Sequence, residues 1–456
     1  MAKKTKIADL SIEEKLEQAL VVPGYEPYKI PDNWCWTSFK NVAEVVTGGT
    51  PSKKHKEYYG NVFPFFKPAD LNTGRNVSIA SEYLSEEGKK VSRVIPAKST
   101  LVCCIGSIGK SGFLEIEGST NQQINSAIPK IEPLYLYYYV NTDCFINQLW
   151  SKSSATTISI VNKTKMEECY FPLAPLPEQQ RIVERIESLF SKLDEAKEKA
   201  QEVIDSFEAR KAAILHKAFS GELTAKWREE NGVGFDSWET TKIGNVLAEI
   251  KYGTSEKSDY SFEGIPVFRI PNIGDMTLIF DDVKKIQRQE CSENEYLAEN
   301  DILIIRSNGS KELVGKCALV PKISFKCTYA SFLIRLRMKH SISSLYTVWY
   351  LTSEQARKQL FNKAKSSAGI HNINSKEISD INIVVPSKPE QNEITSMLER
   401  IIAKEKEAVN YAETVIDQID ATKKAILARA FRGEFGTNNP EEESAVEMLK
   451  QILSGE

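Results

Sequence analysis

The tripeptide Pro177-Glu178-Gln179 returns as Pro389-Glu390-Gln391, and the 212-residue offset between the two runs through much of the chain. At that offset Ala213-Ile214-Leu215 answers Ala425-Ile426-Leu427, and Ala218-Phe219 with Gly221-Glu222 answers Ala430-Phe431 with Gly433-Glu434. Leu136 and Tyr138 align with Val348 and Tyr350 without a gap. Upstream the match continues with small slips. Gly49-Thr50 answers Gly253-Thr254, Pro64-Phe65-Phe66-Lys67 answers Pro266-Val267-Phe268-Arg269, and Gly109-Lys110 answers Gly315-Lys316. Solenoid units run to roughly 20–50 residues, so this period is a module of domain size. The 456 residues are one module used twice.

Each copy has two parts. The first has short β-branched and aromatic runs punctuated by Gly and Pro, such as Thr100 to Ile105, Ile302 to Ile305 and Phe332 to Leu336. Helical stretches, Leu134 to Trp150 and Ser344 to Lys363, sit among them, which predicts a mixed α/β globule. The second part, 178–219 and again 390–431, lacks Gly and Pro and is dense in Glu, Lys, Ala and Leu. It reads as one long helix per copy. The expected order is an N-terminal helical extension (1–24), a first α/β domain (25–177), a first long helix (178–222), a polar linker (223–237), a second α/β domain (238–388), a second long helix (389–435) and an acidic tail (436–456). Ser11-Ile12-Glu13-Glu14 has capping-box form and predicts a helix from 12 to about 21. A short helix is expected after Pro440.

In the first long helix Ile182, Ile186, Leu189, Leu193, Ala196, Ala200, Val203, Phe207, Arg210 and Ile214 alternate steps of four and three, a heptad seam. Its counterpart is Ile394, Leu398, Ile401, Glu405, Ala408, Ala412, Val415, Ile419, Thr422 and Ile426. Two related seams in one chain favour pairing with each other over two independent amphipathic helices on separate cores. An antiparallel register sets Ile214 by Ile394, Phe207 by Ile401 and Leu189 by Ile419, whereas a parallel one would bring both domains to the same end. The fold class is α+β: two α/β domains joined by two long helices in an intramolecular antiparallel coiled coil, a pseudo-two-fold tandem repeat. About 42 residues of helix span roughly 60 Å, more than one turn of DNA at ~34–36 Å.

Catalytic signatures fail one by one. Gly109-Lys110-Ser111 ends like a phosphate-binding loop, but that pattern needs Gly at position 104, which is Cys. The second copy has Ser310 at the Gly position and Cys317 after Gly315-Lys316. No Asn/Asp-Pro-Pro-aromatic tetrapeptide of an adenine methyltransferase occurs. Asp70 with Glu87-Gly88-Lys89 has the bare outline of a metal nuclease, a permissive pattern that solvated surface charge explains better. His55, His216, His340 and His371 are dispersed, so no metal site is expected. The chain reads as non-catalytic, with no cofactor or metal of its own.

Net charge is -3, which on its face speaks against a nucleic-acid binder. Divided along the repeat the picture changes. Residues 1–177 carry 20 Lys+Arg against 18 Asp+Glu, and 231–388 carry 21 against 18. The acid lies in 178–230, with 10 against 12, and 389–456, with 8 against 14. Local clusters sharpen this. Thr50, Ser52, Lys53, Lys54 and Lys56 combine hydroxyls and basic groups in a Gly-rich loop. Ser107 with Lys110, and Arg306, Asn308, Lys311 and Lys316, place cations among small polar residues, and Lys67 and Arg269 are cations at aligned positions after Phe66 and Phe268. Asn121, Gln122 and Gln123 supply amides. Such groups suit phosphate contacts and bidentate base reading, so these residues are the expected DNA contacts. The alternative for each is turn chemistry and solvation.

No apolar run of 18 residues occurs, so no membrane helix is expected. Ile7 to Leu20 is broken by charges and lacks the core of a signal peptide. Eight scattered Cys read as reduced buried thiols, and a cytoplasmic location is expected.

The duplicated order of globule, Pro-Glu-Gln helix start and Ala-Ile-Leu…Ala-Phe-x-Gly-Glu helix exit resembles the specificity subunit of type I restriction-modification systems. Tyr28-Lys29-Ile30-Pro31-Asp32-Asn33-Trp34-Cys35-Trp36 is similar to the start of that family's first target-recognition domain. Val46-Thr47-Gly48-Gly49-Thr50-Pro51-Ser52 and Tyr252-Gly253-Thr254-Ser255 resemble its Gly-Thr loops, and Gly433-Glu434-Phe435-Gly436-Thr437-Asn438 its C-terminal region. The resemblance covers nearly the whole chain. It implies that each α/β domain reads one half of a split double-stranded DNA site. The paired helices would fix the gap and dock two methyltransferase subunits, with motor-nuclease subunits joining them. S-adenosylmethionine, ATP and Mg would belong to those partners. The competing reading is a non-catalytic coiled-coil scaffold that spaces two protein partners without DNA specificity. A solitary nuclease or methyltransferase is disfavoured by the missing motifs.

Overall fold

The computed structural model describes residues 11–154, 158–363, 365–367 and 369–455. They form two compact units, Met1–Ala200 with Thr414–Glu456, and Gln201–Glu413. The first is discontinuous in sequence and the second is not.

In the first unit a four-stranded antiparallel sheet runs in the order Ala43–Thr47, Ile124–Pro129, Thr100–Cys103, Ser111–Phe113. A second sheet has the order Tyr59–Gly60, Glu82–Leu84, Phe63–Phe66, Ser119–Thr120, the last pair parallel. A ribbon, Cys35–Ser38 with Tyr170–Leu173, closes the domain next to the long helix. The second unit repeats this plan. Its sheets run Leu247–Tyr252, Leu333–Met338, Ile302–Ile305, Cys317–Leu319, Met276–Thr277, and Ser258–Asp259, Lys284–Ile286, Ile265–Phe268, Thr328–Tyr329. The ribbon is Glu239–Lys242 with Asn382–Val385. It adds one short sheet, Ser307–Asn308, Ile370–Asn372, Lys365–Ser367.

The repeated Ala-Phe at each helix exit explains how the units close. Phe431 packs in the first unit against Tyr135 and Tyr139, with ring centroids 4.9 and 5.2 Å away. Phe219 packs in the second against Tyr346 and Tyr350, at 5.5 and 5.1 Å. Each plug therefore comes from the helix that follows the other domain in sequence, an arrangement that antiparallel helices permit. Full burial of such a ring contributes about 2–3 kcal/mol.

The second long helix is continuous, Lys388–Ala430. The first is interrupted at Ser206, giving Leu176–Asp205 and Phe207–Phe219 where a single helix was expected. There the Arg210 side chain turns back to donate to Val203 O at 3.1 Å and to the Ser206 hydroxyl, which itself bonds Glu202 O. Such side-chain competition with the helical ladder bends helices. Helix pairing in the first unit is antiparallel: Lys197 meets Asp420 at 2.7 Å and Lys423 meets Asp194. In the second unit Arg210 meets Glu405 at 2.6 Å. The expected register placed Asp194 opposite Thr414 and Arg210 opposite Leu398, so the helices are slid by about one heptad. The seam differs accordingly. Ile182, Ile186, Ala200, Ile394, Leu398, Ala412 and Ile419 are buried, while Leu189, Leu193, Val203, Phe207, Ile401 and Ile426 are half-buried. Ala196, Ala408 and Val415 face solvent. In the second helix the sequence offers adjacent apolar pairs at 401/402, 408/409 and 415/416, and the more buried member is the later one, a step of four from Leu398, Glu405 and Ala412.

Arg210 and Glu405, two of the polar seam positions, thus satisfy each other. Their side chains are 34% and 25% exposed, so solvent weakens the pair. Glu405→Ala should lower stability by about 1 kcal/mol in urea unfolding, and the exchange Arg210→Glu with Glu405→Arg should restore most of it. An exchange as damaging as the single change would mean the pair carries no register information.

The stretch read as a linker is folded: it carries helix Ala225–Asn231. The acidic tail carries helix Ala445–Ser454, whose Ala445 and Leu449 are buried in the first core. Arg181 grips Glu442 through two bonds of 2.8 and 2.9 Å and holds its carboxyl below the usual range. The N-terminal helix is Ile12–Ala19, with the Ser11–Glu14 capping box formed. All eight Cys are free and six are buried. Burial pushes the thiols of Cys35, Cys104, Cys169, Cys317 and Cys327 up to about 12. Among the described residues no helix is long and apolar enough to cross a membrane.

Candidate nucleic-acid interface

In each unit the loops at one edge of the larger sheet form a continuous strip. In the first unit the chain leaves strand Ala43–Thr47 through Gly48 and Gly49, which donate to Ile124 O at 2.9 Å and Thr120 O at 2.8 Å. A Cβ on Gly48 would stand 2.1 Å from Asn121 O, so only glycine fits. Cys104 N donates to Gln123 O at 2.7 Å, and Gly106 N to Ser159 O at 3.3 Å. The 48–52, 120–123, 104–107 and 158–161 segments are thereby contiguous.

The predicted residues take different roles along this strip. Thr50, Ser52, Lys53, Lys54 and Lys56 are exposed, and none of the three lysines has an ion-pair partner among the described residues. The Thr50 hydroxyl donates to Gln122 Oε1 at 2.6 Å, and Gln122 is exposed. Asn121 is buried and spends its amide on Gln123, whose backbone N–H and Oε1 it engages at 3.1 and 2.9 Å. It shapes the turn that presents Gln122. Lys67, half-buried, is paired with Glu82. Ser107 is exposed, and Lys110 follows in the turn made by Gly109 at φ +86°.

In the second unit Gly253 and Thr254 donate to Leu333 O at 3.3 Å and Tyr329 O at 2.8 Å. Those bonds match Gly48 and Gly49, one residue from the sequence pairing of Gly49 with Gly253. Arg306 and Asn308 lie half-buried beside the antiparallel strands Lys365–Ser367 and Ile370–Asn372, the second of which pairs with Ser307–Asn308. Asn308 Oδ1 accepts from Ser310 N at 2.8 Å, which leaves its amide group to act as donor. Lys311 lies 5.4 Å from the Phe361 ring. Lys316 lines a cavity of about 130 Å³ with Asp275 and Arg357. Arg269 bonds Asp282 at 3.1 Å and is committed to structure. The strip thus gathers Arg306 and Asn308 and leaves Arg269, Lys311 and Lys316 in other settings.

Sequence reasoning missed the 158–161 segment and the strands Lys365–Ser367 and Ile370–Asn372. Ile158 is 58% exposed and Ile370 is 52% exposed, and the 212-residue offset aligns them. That alignment was the available signal. The two strips also differ in length at one loop. Gly109 N bonds Cys103 O at 3.0 Å, and Gly315 N bonds Ile305 O at 2.8 Å, so identical closures enclose a loop four residues longer in the second copy.

The residues weighed above for other chemistries have these structural partners. Ser111 spends its hydroxyl on Asn141 at 2.9 Å. Asp70 caps a turn by accepting from Lys67 N and Ser81 N, while Lys89 pairs with Glu117 and Glu87 with Lys90. Among the described residues no group of His, Cys, Asp or Glu is arranged to hold a metal.

Two copies of a scaffold domain thus each display basic and amide-bearing loops of their own. The family model for the type I restriction modification DNA specificity domain matches residues 31–205 and 236–411, and the chain belongs to that family. It is 25% identical over 453 residues to the type I restriction enzyme EcoKI specificity subunit of Escherichia coli strain K12, covering 93% of this chain and 96% of that one. Identity to the StySPI specificity subunit of Salmonella potsdam is also 25%, over 452 residues with the same coverages. The fold matches a chain from the structure described as the basis of complex assembly and conformational transition of the type I R-M system, with TM-score 0.69 and 19% identity over 90% of this chain and all of that one. It also matches the HsdS subunit from Thermoanaerobacter tengcongensis, with TM-score 0.60, 19% identity and coverages of 90% and 99%. The chain is a DNA specificity subunit with two target-recognition domains, the non-catalytic component of a type I restriction-modification enzyme.

Proposed function

We propose that the first domain reads one half of a split, asymmetric DNA site and the second reads the other, with the paired helices setting the unread gap. The observation that carries this is the duplication of one loop strip on one scaffold with unlike loops: Lys53, Lys54 and Gln122 in the first, Arg306 and Asn308 in the second. Two methyltransferase subunits dock on the helices and bring S-adenosylmethionine, and motor-nuclease subunits bring ATP and Mg. The related EcoKI and StySPI subunits are named as parts of restriction enzymes, which favours this reading over a scaffold that spaces two protein partners. The segment boundaries at 25–177, 178–222, 223–237, 238–388 and 389–435 are the corresponding assignment of reader, spacer and connecting parts.

Co-expression with its methyltransferase partner and mapping of N6-methyladenine tests the proposal. A two-part motif with a constant gap is expected, and methylation without one rules it out. Binding to duplex DNA should fall steeply with salt, as phosphate neutralisation requires. Lys53→Ala with Lys54→Ala should weaken binding across all sequences and lower the salt slope by about one per lost contact. Unchanged affinity and slope would remove this loop from the interface.

A further inference from the structure

Arg306 is an arginine of the second domain with unspent donors. Arg269, Arg288, Arg335 and Arg337 each meet a carboxylate, and Arg357 donates to two backbone carbonyls at 2.9 and 2.6 Å. Arg306 meets no carboxylate among the described residues. Its Nε is buried without an acceptor, and its Nη atoms reach only Ser331 O at 3.5 Å and Asn372 Oδ1 at 3.3 Å. Yet the group is held. Its guanidinium carbon lies 4.7 Å from the Tyr252 ring, and the Tyr252 hydroxyl donates to Ser375 Oγ at 3.2 Å and accepts from Ser375 N at 2.9 Å.

We infer that Arg306 reads a guanine in the half-site of the second domain, making its N–H fork bidentate to the O6 and N7 edge in the major groove. The inference rests on the DNA-reading assignment above. The two Nη groups hold only these long contacts, and a guanine edge presents two acceptors at the spacing of the fork. Stacking on Tyr252 fixes the plane beforehand, so little freedom is lost on contact. A phosphate would supply acceptors too, but the neighbours argue against it. Phe332 is 57% exposed and Ile370 is 52% exposed beside this loop, and apolar groups belong next to bases and thymine methyls. Asn372, with its carbonyl turned to Arg306, keeps its amide N–H groups for an adjacent acceptor.

The test is a comparison of methylation motifs for the native chain, Arg306→Ala, Arg306→Lys and Tyr252→Phe, each co-expressed with the methyltransferase partner. The native motif should contain a G·C pair in one half that becomes degenerate in Arg306→Ala, with discrimination there falling about 5- to 150-fold. The other half stays unchanged. Lys lacks the fork and should not restore discrimination, whereas Tyr252→Phe, which keeps the ring, should retain the motif. The salt slope of binding should stay the same in Arg306→Ala. An unchanged motif overturns the inference, as does a slope reduced by about one with the motif intact, the mark of a phosphate contact. Loss of all methylation in both Arg306 variants, with folding preserved by circular dichroism, overturns it too, because one base contact does not account for so much. A native chain that yields no split motif fails at the earlier reading.

Discussion

Glu178→Ala should lower the stability of the first unit by about 3–5 kcal/mol. Glu178 is fully buried, and Trp34 Nε1, Asn438 Nδ2 and Thr437 Oγ1 donate to its carboxylate at 2.7, 2.8 and 3.3 Å. Removing the acceptor strands three donors from the start of the domain and from the C-terminal segment at once. The second copy has the same acid in a different clasp. Glu390 accepts from Trp238 at 3.0 Å, Thr224 at 2.7 Å and Arg228 at 2.7 Å. Its side chain is 0% exposed and that of Arg228 is 11% exposed, so Glu390→Ala leaves a guanidinium unpaired in a dry site and should cost a similar amount. Segment-resolved hydrogen exchange checks both. Glu178→Ala should speed exchange across 25–177 and leave 238–388 alone, and Glu390→Ala should do the reverse. A loss below about 1 kcal/mol in either would mean the carboxylates are incidental to folding.

The second large effect concerns the gap. Adding one heptad to each long helix, in the 196–200 and 408–412 stretches, preserves the antiparallel seam and adds roughly 10 Å at 1.5 Å per residue. On the ruler reading, mapped adenines should move apart by about three base pairs while both half-sites keep their bases. A heptad added to one helix only should break pairings such as Lys197–Asp420 and Arg210–Glu405 and abolish methylation. Constant spacing in the doubly extended chain would separate helix length from site geometry.

Much of this is legible in the residues themselves. The offset exposed the duplication because the same packing problem is solved twice, and Ser11 with Glu14 announced a helix start through chemistry local to four residues. The Pro-Glu-Gln motif was equally visible, but its meaning was not. Gln179 and Gln391 bond backbone groups of the preceding domain, Glu132 N at 3.1 Å and Ser343 N at 2.7 Å. Only tertiary structure joins residues that far apart. The short helix expected after Pro440 is present as Ala445–Ser454, but the partners of Arg228, Thr224 and Glu442 in these polar stretches are set by tertiary structure. In the site, side-chain type identified Lys53 and Arg306 equally with Arg269. Whether a cation is free or already taken depends on Asp282 and its like, which composition does not position.

The two plugs have a consequence for how the molecule is made. Residues 201–413 are contiguous, so the second unit holds everything it needs, Phe219 included, once residue 413 is synthesised. The first unit must wait, because Phe431, Asn438 and helix Ala445–Ser454 follow the second unit in sequence. Of the two units, the one begun first is therefore completed second, and until then Tyr135 and Tyr139 lack the Phe431 ring. A stalled or truncated nascent chain would expose those rings, and their exposure is a hazard for aggregation. In this subunit, order of birth and order of closure are opposite.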